Sequence, residues 1–441
     1  MNFTEMSQNK KTEENINGRN SDKWNIVSLG NLLKEVDIRV KNVNGNIEKM
    51  PILSMTRYNG LILQSDKFGK RVASKNLSNY KVVKINNIVY SFPMDEGVIY
   101  ALKNFDIGLV SPTYTVLEKN SNNIDIIFLD ILLKSPKLIS TYKKLSSRTV
   151  DRRRIVSKND FFNITIELPP LVEQRGIAEV LGTVDEAIRR TDTIIAKAEE
   201  LKRGLMQRFL TRGIGHTEFK QTELGEIPET WGTTKLGDLC SRITKGTTPT
   251  TYGFNYTEEG INFIKIENIN ESGKFLIDSF MHINQDTHTK LNRSQLTEGD
   301  VLFSIAGALG RTAIVPSEIL PANTNQALAI IRLKNKTVSP QYLKYFLSSN
   351  AIQQKINKIR IQSAQANINL SHVEDFDIII MPKEEEEKIV RILSYSEKRL
   401  ELEKQSKRRF EELKNGLMQV LLSGKVRVRL DEGGLHRVRD G

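Results

Sequence analysis

The chain lacks the residues and segments that mark secreted, membrane and metal-binding proteins. Cys240 is the only cysteine among 441 residues, so no internal disulfide can form. A single thiol and an N-terminus without an apolar segment predict a cytoplasmic protein. No apolar run approaches the roughly 18 residues that span a membrane, so none is expected to do so. The five histidines are scattered, and one cysteine cannot complete a ligand set with them, so no metal site is predicted.

Motifs for catalysis are also missing. The double proline in Leu168-Pro169-Pro170-Leu171 has neither the polar residue nor the aromatic residue of the N/D-P-P-F/Y motif of DNA amino-methyltransferases. No proline is followed by Asp, which is a frequent opening of restriction nuclease sites. Gly307–Thr312 lacks the lysine and the spacing of a P-loop, and it predicts a tight turn between strands. No catalytic residue is therefore predicted, and Cys240 is interpreted as a small core residue.

What the chain has in excess is positive charge. The formal net charge is +12, the pI is near 9.4, and 39% of the residues are hydrophobic. This composition allows buried cores, the length suits two to four domains, and the charge favours a polyanionic partner, with nucleic acid first.

The chain repeats itself. Trp24 and Trp231, its only tryptophans, open the similar phrases W-N-I-V-S-L-G-N-L-L and W-G-T-T-K-L-G-D-L-C. Farther on, E-E-L-K-R-G-L-M-Q at 199–207 returns as E-E-L-K-N-G-L-M-Q at 411–419. The sequence therefore predicts two tandem copies of one unit, each with a globular part followed by a long helix.

Apolar residues recur at steps of mostly 3 or 4 after Pro170 and again after Pro382, which stand 212 residues apart. The order of domain, helix, domain, helix predicts that the second helix runs back along the first as an antiparallel coiled coil. Gly204 and Gly416 lie inside these helices at matching positions, which predicts close approach of a packing partner. The residues predicted to pair the helices or bind a partner are Ile177, Leu181, Ile188, Leu201, Leu205, Ile389, Leu393, Leu400, Leu413 and Leu417.

The predicted fold class is α+β: two mixed α/β domains separated by a long antiparallel two-helix coiled coil, with pseudo-two-fold internal symmetry. Strand-like runs fall at 85–92, 108–117 and 161–168, and a helical pattern falls at 124–145. The predicted segments are a flexible tail at 1–23, domain 1 at 24–168, a central helix at 169–214, a linker at 215–230, domain 2 at 231–381, a distal helix at 382–424 and a C-terminal tail at 425–441.

These features together resemble the specificity (S) subunit of type I restriction–modification systems, from about residue 24 to 424. The residues that carry the resemblance are Leu168–Gln174, Leu201–Leu210, Glu223–Trp231, Val110–Leu117, Asn323–Ala327 and the two tryptophan phrases. The first copy departs from the pattern, because Ser21-Asp22-Lys23 stands where the second has an I-P-x-x lead-in to the tryptophan.

The resemblance implies a division of labour. Each globular part would be a target recognition domain that reads one half of a bipartite sequence in double-stranded DNA. The helices would set the spacing and dock two methyltransferase (M) subunits, and restriction (R) subunits would join that complex. This chain would bind no cofactor; S-adenosylmethionine would belong to the M subunits, and ATP with Mg²⁺ to the R subunits.

Basic and amide-rich loops are the candidate DNA contacts, because Arg and Lys hold phosphates, Arg reads guanine and Gln reads adenine. The structural alternatives are solvated loops, an exposed helix end and a plain turn. The candidates are Arg57, Tyr58, Arg148, Arg152, Arg153 and Arg154 in domain 1, and Lys245, Thr247, Thr248, Lys358, Arg360, Gln362 and Gln365 in domain 2.

Two other functions remain open on the sequence: an enzyme that methylates or cleaves DNA by itself, and a coiled-coil scaffold that only joins other proteins. Activity of the purified chain alone would indicate the first, and failure to bind mixed DNA would indicate the second. The target sequence and its spacer length do not follow from the residues.

Overall fold

The computed structural model describes residues 23–43, 50–56, 60–70, 72–91, 98–146, 156–334, 337–363, 367–430 and 436–440, of which 362–363, 429–430 and 436–440 are described by their backbone alone. The chain divides into two compact units. Unit 1 combines Met1–Thr191 with Ser406–Gly441, and unit 2 is Asp192–Gln405. The flexible tail predicted at 1–23 lies outside the described residues except for Lys23.

Helices and strands alternate irregularly, as predicted for mixed domains. The helices are α1 (Leu29–Leu32), α2 (Gln64–Phe68), α3 (Ile126–Leu132), α4 (Pro136–Ser146), α5 (Lys158–Phe162), α6 (Leu171–Arg212), α7 (Leu236–Leu239), α8 (Gln285–Lys290), α9 (Pro340–Leu347), α10 (Asn350–Ser363), α11 (Leu370–Glu374) and α12 (Lys383–Leu421). The strands of unit 1 are β1 (Asn25–Ser28), β2 (Leu33–Glu35), β3 (Leu53–Thr56), β4 (Gly60–Leu63), β5 (Lys81–Lys84), β6 (Ile88–Tyr90), β7 (Ile99–Ala101), β8 (Ile107–Val110), β9 (Thr115–Lys119) and β10 (Thr165–Leu168). Those of unit 2 are β11 (Phe219–Thr222), β12 (Gly225–Pro228), β13 (Gly232–Lys235), β14 (Cys240–Lys245), β15 (Ile261–Ile264), β16 (Met281–Ile283), β17 (Val301–Ser304), β18 (Thr312–Ile314), β19 (Ala322–Thr324), β20 (Leu328–Leu333) and β21 (Asp377–Ile380). Unit 1 also contains β22 (Val426–Leu430) and β23 (His436–Asp440).

The two long helices are the predicted ones. Helix α6 has 42 residues and α12 has 39. Helix α6 begins after the double proline, which suits a first turn because the early amides of a helix have no partner within it. It ends at Gly213, whose positive φ of 61° suits a residue without a side chain, and Gly424 follows α12 with φ of 71°.

The two domains share a sheet order, which confirms the internal repeat. In unit 1 the antiparallel sheet runs β2-β9-β6-β7, and in unit 2 the corresponding sheet runs β14-β20-β17-β18. In both sheets the strand that comes first in the chain (β2 or β14) pairs with the strand that comes last in the chain (β9 or β20). An antiparallel pair, β6 with β7 or β17 with β18, completes the sheet. A two-stranded ladder also closes each domain, β1 with β10 and β13 with β21, immediately before the long helix.

Within unit 1 the start of α6 packs into the domain core. Ile177 and Leu181 are fully buried there, together with Leu421 from the end of α12. Asp185 pairs with Lys414 of α12 at 2.6 Å, and Glu173 pairs with Arg427 of β22, which follows α12, at 2.6 Å. The chain after Lys414 therefore runs antiparallel to the start of α6.

Within unit 2 the arrangement is the same with the helices exchanged. Ile389 and Leu393 of α12 are fully buried in the core beside Leu210 of α6. Lys202 pairs with Glu397 at 2.9 Å and Glu199 with Lys404 at 2.7 Å, so these segments are also antiparallel. The first turns of each long helix therefore serve as core of a domain as well as seam.

The residues predicted to pair the helices, and the two glycines inside them, differ in how they are surrounded. Leu201 and Leu413 are 58% and 50% exposed, which favours the partner-binding alternative over helix pairing, and both roles stay predictions. A Cβ added at Gly204 or Gly416 would meet no atom of the described residues within 4 Å, so the predicted close approach is wrong within this chain. The remaining seam residues Ile188, Leu205, Leu400 and Leu417 are half-buried.

The segments around the helices are more ordered than predicted. The linker 215–230 contains the hairpin β11–β12, and the tail 425–441 contains β22–β23, where Val428 is buried in the core of unit 1. The strand predicted at 161–168 begins only at Thr165, because Ser157 caps the short helix α5 and places Phe161 in it.

Candidate nucleic-acid interface

The candidate contacts of domain 1 lie outside the described residues. Arg57 and Tyr58 belong to the segment that joins β3 to β4, which pair with Thr56 opposite Gly60. Arg148, Arg152, Arg153 and Arg154 belong to 147–155, which follows α4. All six remain predictions.

The Lys245–Thr248 turn of domain 2 is described fully. Lys245 ends β14 and is exposed. Thr247 is 7% exposed, and its hydroxyl accepts a hydrogen bond from Nη2 of Arg293 at 3.2 Å. The Thr248 hydroxyl is hydrogen-bonded to the side-chain oxygen of Gln326. Thr247 therefore positions Arg293, while Lys245 and Thr248 face outward.

Lys358 and Arg360 lie on the last turns of α10, and both are exposed, whereas Ile352 and Ile356 on its inner face are buried. Cations at the end of a helix are favoured by the negative end of its dipole, so the helix alone gives them a reason to be there. The side chain of Gln362 is not described, and Gln365 lies outside the described residues. These four stay predictions.

The loop 324–327 lies directly against Lys245–Thr248. The Thr247 amide donates to the Thr324 carbonyl at 2.9 Å, and the Gly246 amide donates to the Leu328 carbonyl at 3.2 Å. A Cβ at Gly246 would lie 2.1 Å from the Thr324 oxygen, so only glycine allows this approach. The two loops lie side by side at one end of the sheet, where β14 ends and β20 begins, and form one outer edge there.

Buried polar residues fix this edge from behind. Thr324 donates from its hydroxyl to the Ile264 carbonyl at 2.8 Å. The side-chain Nδ2 of Asn323 donates to the Leu291 carbonyl at 3.1 Å and to Ser294 Oγ at 2.8 Å. It thereby holds the segment that carries Arg293. Both residues are fully buried. A buried network with its partners satisfied is rigid, so the exposed Arg293 and Gln326 stand on a fixed base.

Unit 1 has a corresponding edge at the start of β9. The Val36 amide donates to the Val116 carbonyl at 2.9 Å, as Gly246 does to Leu328 in unit 2. Lys81, which is buried, donates to the Tyr114 carbonyl at 2.8 Å and lies 3.7 Å from the Asp37 carboxylate. It thereby joins the 36–39 loop to the 111–114 loop.

The outer side chains of this edge are charged or carry hydroxyl groups. Arg39 holds Asp37 with both Nε and Nη2, at 3.0 to 3.2 Å. These hydrogen bonds lower the pKa of Asp37 below its ordinary value. Thr113 is exposed, and its hydroxyl lies 2.9 Å from that of Ser111.

The DNA contacts predicted from the sequence do not include Asp37, Arg39, Arg293 and Gln326, which stand at these two edges. Gln326 stands in the quoted N-T-N-Q-A motif, but the motif does not show which amide faces out. Arg293 has no local signal, because its partner Thr247 is 46 residues away in the chain.

Four other expectations concern a turn, a metal site, a membrane span and the cysteine. Gly307–Thr312 forms a turn between the antiparallel strands β17 and β18, as predicted. Among the residues that the structure describes, no group of three or more His, Cys, Asp or Glu could hold a metal ion. Over the same residues, no helix is long and apolar enough to cross a membrane. Cys240 is half-buried beside the core of unit 2, and this burial raises the pKa of its thiol to about 12.

Comparison with known proteins decides the family. The family described as type I restriction modification DNA specificity domain matches residues 21–200 and again 228–412. The chain belongs to the family of type I restriction–modification specificity subunits. It confers DNA sequence specificity through two recognition domains, and as a specificity subunit it is not itself an enzyme. Specificity subunits carry no cofactor of their own, and membership implies DNA with methyltransferase and restriction subunits as partners.

Similar proteins include two specificity subunits of Methanocaldococcus jannaschii. The chain is 28% identical to the type I restriction enzyme MjaVIII specificity subunit, over 92% of this chain and 93% of that protein. It is 26% identical to the putative MjaX specificity subunit, over 95% and 97%. The solved S subunit from M. genitalium is similar in fold, with a TM-score of 0.56 at 13% identity over 91% of this chain and 96% of that one.

Proposed function

We propose that each recognition domain of this specificity subunit reads one half of a bipartite sequence in double-stranded DNA, and that the long helices set the spacing and dock two methyltransferase subunits. Restriction subunits join that complex in the cytoplasm. The methyltransferase subunits bind S-adenosylmethionine, and the restriction subunits bind ATP with Mg²⁺.

The duplication carries this proposal. Each recognition domain attaches the start of its first strand to a long helix by the same contact, Trp24 to Glu173 and Trp231 to Glu385, each at 3.0 Å. The sheet order is also the same, while the outer side chains at the corresponding edges differ. A constant frame with different exposed residues supports two independent readers.

The exposed faces of the two helices support docking of two copies of one partner. Leu201 and Gly204 in α6 correspond to Leu413 and Gly416 in α12, each pair 212 residues apart. The leucines are exposed, and each glycine leaves open space beside the helix, so another backbone can come close. Two equivalent apolar patches suit two equivalent subunits.

Exchange of a domain tests the reading. Replacing residues 231–381 by the same region of another specificity subunit is expected to change only one half of the sequence methylated in cells. Deletion of the gene is the control that assigns the methylation to this chain. A change in both half-sites would contradict independent readers.

Enlarging the glycines tests the docking. Gly204→Gln and Gly416→Gln are each expected to remove one methyltransferase subunit from the complex, and the double variant both, as measured by native mass spectrometry. Arg203→Gln is the control, because Arg203 is exposed but lies about 100° around the helix from Gly204. A double variant that still binds two subunits would show that they dock elsewhere.

A further inference from the structure

We propose that both recognition domains read bases from one corresponding edge of their sheets, and this inference rests on the proposed function. The reading edge is formed by two loops of the four-stranded sheet. One loop follows β14 in unit 2 or β2 in unit 1, and the other leads into β20 in unit 2 or β9 in unit 1. In unit 2 it consists of 245–248 and 324–327 with Arg293, and in unit 1 of 36–39 and 111–114.

The reading edge of unit 2 is rigid where it meets solvent. Discrimination between bases requires donors and acceptors in fixed positions, whereas phosphate contacts tolerate mobile lysines. Gly246 brings the two loops into backbone contact, and the buried Asn323 and Thr324 hold them from below. The exposed groups above are consequently placed before DNA arrives.

Two side chains on this edge have the chemistry that reads purines. A guanidinium donates two parallel hydrogen bonds to guanine, and a carboxamide both donates to and accepts from adenine. Arg293 is oriented by Thr247 and Gln326 by Thr248. A carboxamide oxygen can accept two hydrogen bonds, so the contact from Thr248 leaves Gln326 able to accept another.

The reading edge of unit 1 is built the same way with different chemistry. Lys81 takes the place of the buried support, because it ties Asp37 to the Tyr114 carbonyl. Above it stand Arg39 and the Asp37 carboxylate, which can accept from the amino group of cytosine. Because the two edges present different donors and acceptors, the two half-sites have different sequences.

The predicted cations on α10 contrast with these edges. Lys358 and Arg360 are exposed on the last turns of a helix. Such side chains suit phosphates, which fix the position of a protein on DNA without reading sequence. The edges, rather than α10, therefore determine specificity.

The test uses the assembled methyltransferase complex in cells, with methylated sequences mapped across the genome. Gln326→Ala and Arg293→Ala are each expected to relax one base position in one half-site by about 5- to 100-fold, and to leave the other half-site and the spacer unchanged. Asp37→Asn is expected to relax a position in the opposite half-site.

Matched controls lie away from the edges. Gln285→Ala removes an exposed glutamine of α8, Lys334→Ala a cation just beyond the far end of β20, and Asp106→Asn an exposed carboxylate before β8. All three are expected to leave the methylated sequence unchanged. Thermal unfolding of each purified complex confirms that the variants fold.

The following outcomes would contradict the proposal or the function on which it rests. An unchanged motif in the Gln326→Ala, Arg293→Ala and Asp37→Asn complexes would overturn the proposal. A folded variant that loses affinity for specific and mixed DNA equally would also overturn it, since its residue would then hold phosphate. If the unaltered complex methylated no bipartite sequence, the proposed function itself would fail.

Discussion

The indole of Trp231 donates a hydrogen bond from Nε1 to Oε2 of Glu385 at 3.0 Å, joining the start of a domain to the first turn of the helix that leaves it. The same carboxylate accepts from the Ile214 amide at 2.8 Å and contacts the His216 ring at 2.8 Å. Three segments of unit 2 therefore meet at one side chain, and its negative charge lies at the favourable end of α12.

Removal of this charge tests the junction. Glu385→Gln is expected to lower the free energy of unfolding by about 1–3 kcal/mol, because the three donors around it, of which Trp231 is buried, lose a charged acceptor. Glu384→Gln is the control, since Glu384 is the exposed neighbour in the same turn. Urea unfolding measures both, and equal effects would mean that the junction contributes nothing.

The junction also predicts a response to acid. Burial raises the pKa of Glu385, but hydrogen bonds from the Ile214 amide, Trp231 and His216 outweigh it, so the pKa lies below its usual range. A carboxyl with a lowered folded-state pKa stabilises the fold above its unfolded pKa, about 4.3, and this stability disappears as the pH falls through the folded pKa. The stability difference between wild type and Glu385→Gln is expected to shrink below about pH 4.3. A constant difference from pH 7 to pH 3 would contradict this.

Glycines in and after α6 are expected to respond in opposite directions to alanine. Gly204→Ala stabilises the chain by up to about 1 kcal/mol, because alanine favours a helix and the site is open. Gly213→Ala destabilises it, since a Cβ there would lie 2.5 Å from both the Glu385 carboxylate and the Trp231 ring, at a φ of 61°. Thermal unfolding midpoints of the two variants distinguish the sites, and a shift in the same direction would refute the argument.

The basic segment of domain 1 is expected to contact phosphate. Replacing Arg152, Arg153 and Arg154 by Ala weakens DNA binding of the assembled complex and lowers the slope of log K against log salt by about 0.9 for each lost contact. Binding measured across a salt series tests this. An unchanged slope and affinity would place these arginines away from DNA.

Lengthening the helices tests the spacing. Four residues inserted after Gly213 would be expected from sequence to add about 6 Å, but they would also pull Ile214 away from Glu385. We therefore expect that insertion to destabilise unit 2. Seven residues inserted in α6 after Ile195 and in α12 after Gln405 preserve the helix faces and add about 10 Å, roughly three base pairs. Mapping of the methylated motif is expected to show a longer spacer between unchanged half-sites, and an unchanged spacer would mean that the helices do not set it.

The sequence alone determined the repeat, the two long helices and the family. Repeated phrases and apolar residues at steps of 3 or 4 are local patterns, and helix geometry converts them directly into elements. Pro170 and Pro382 likewise indicated where the helices begin. None of this required knowledge of which residues meet across the chain.

Only the tertiary structure decided which side chains of those elements are buried, paired or exposed. Leu201 fits the apolar pattern of α6 yet faces outward. The pattern shows which helix face is apolar, but only tertiary packing decides which residues on that face are covered. Arg293 and Thr247 come together over 46 residues through the buried contacts of Asn323, and no periodicity encodes that meeting. The candidate reading edge consists of residues that are distant in the sequence and adjacent only in the folded chain. Local sequence patterns therefore could not identify them.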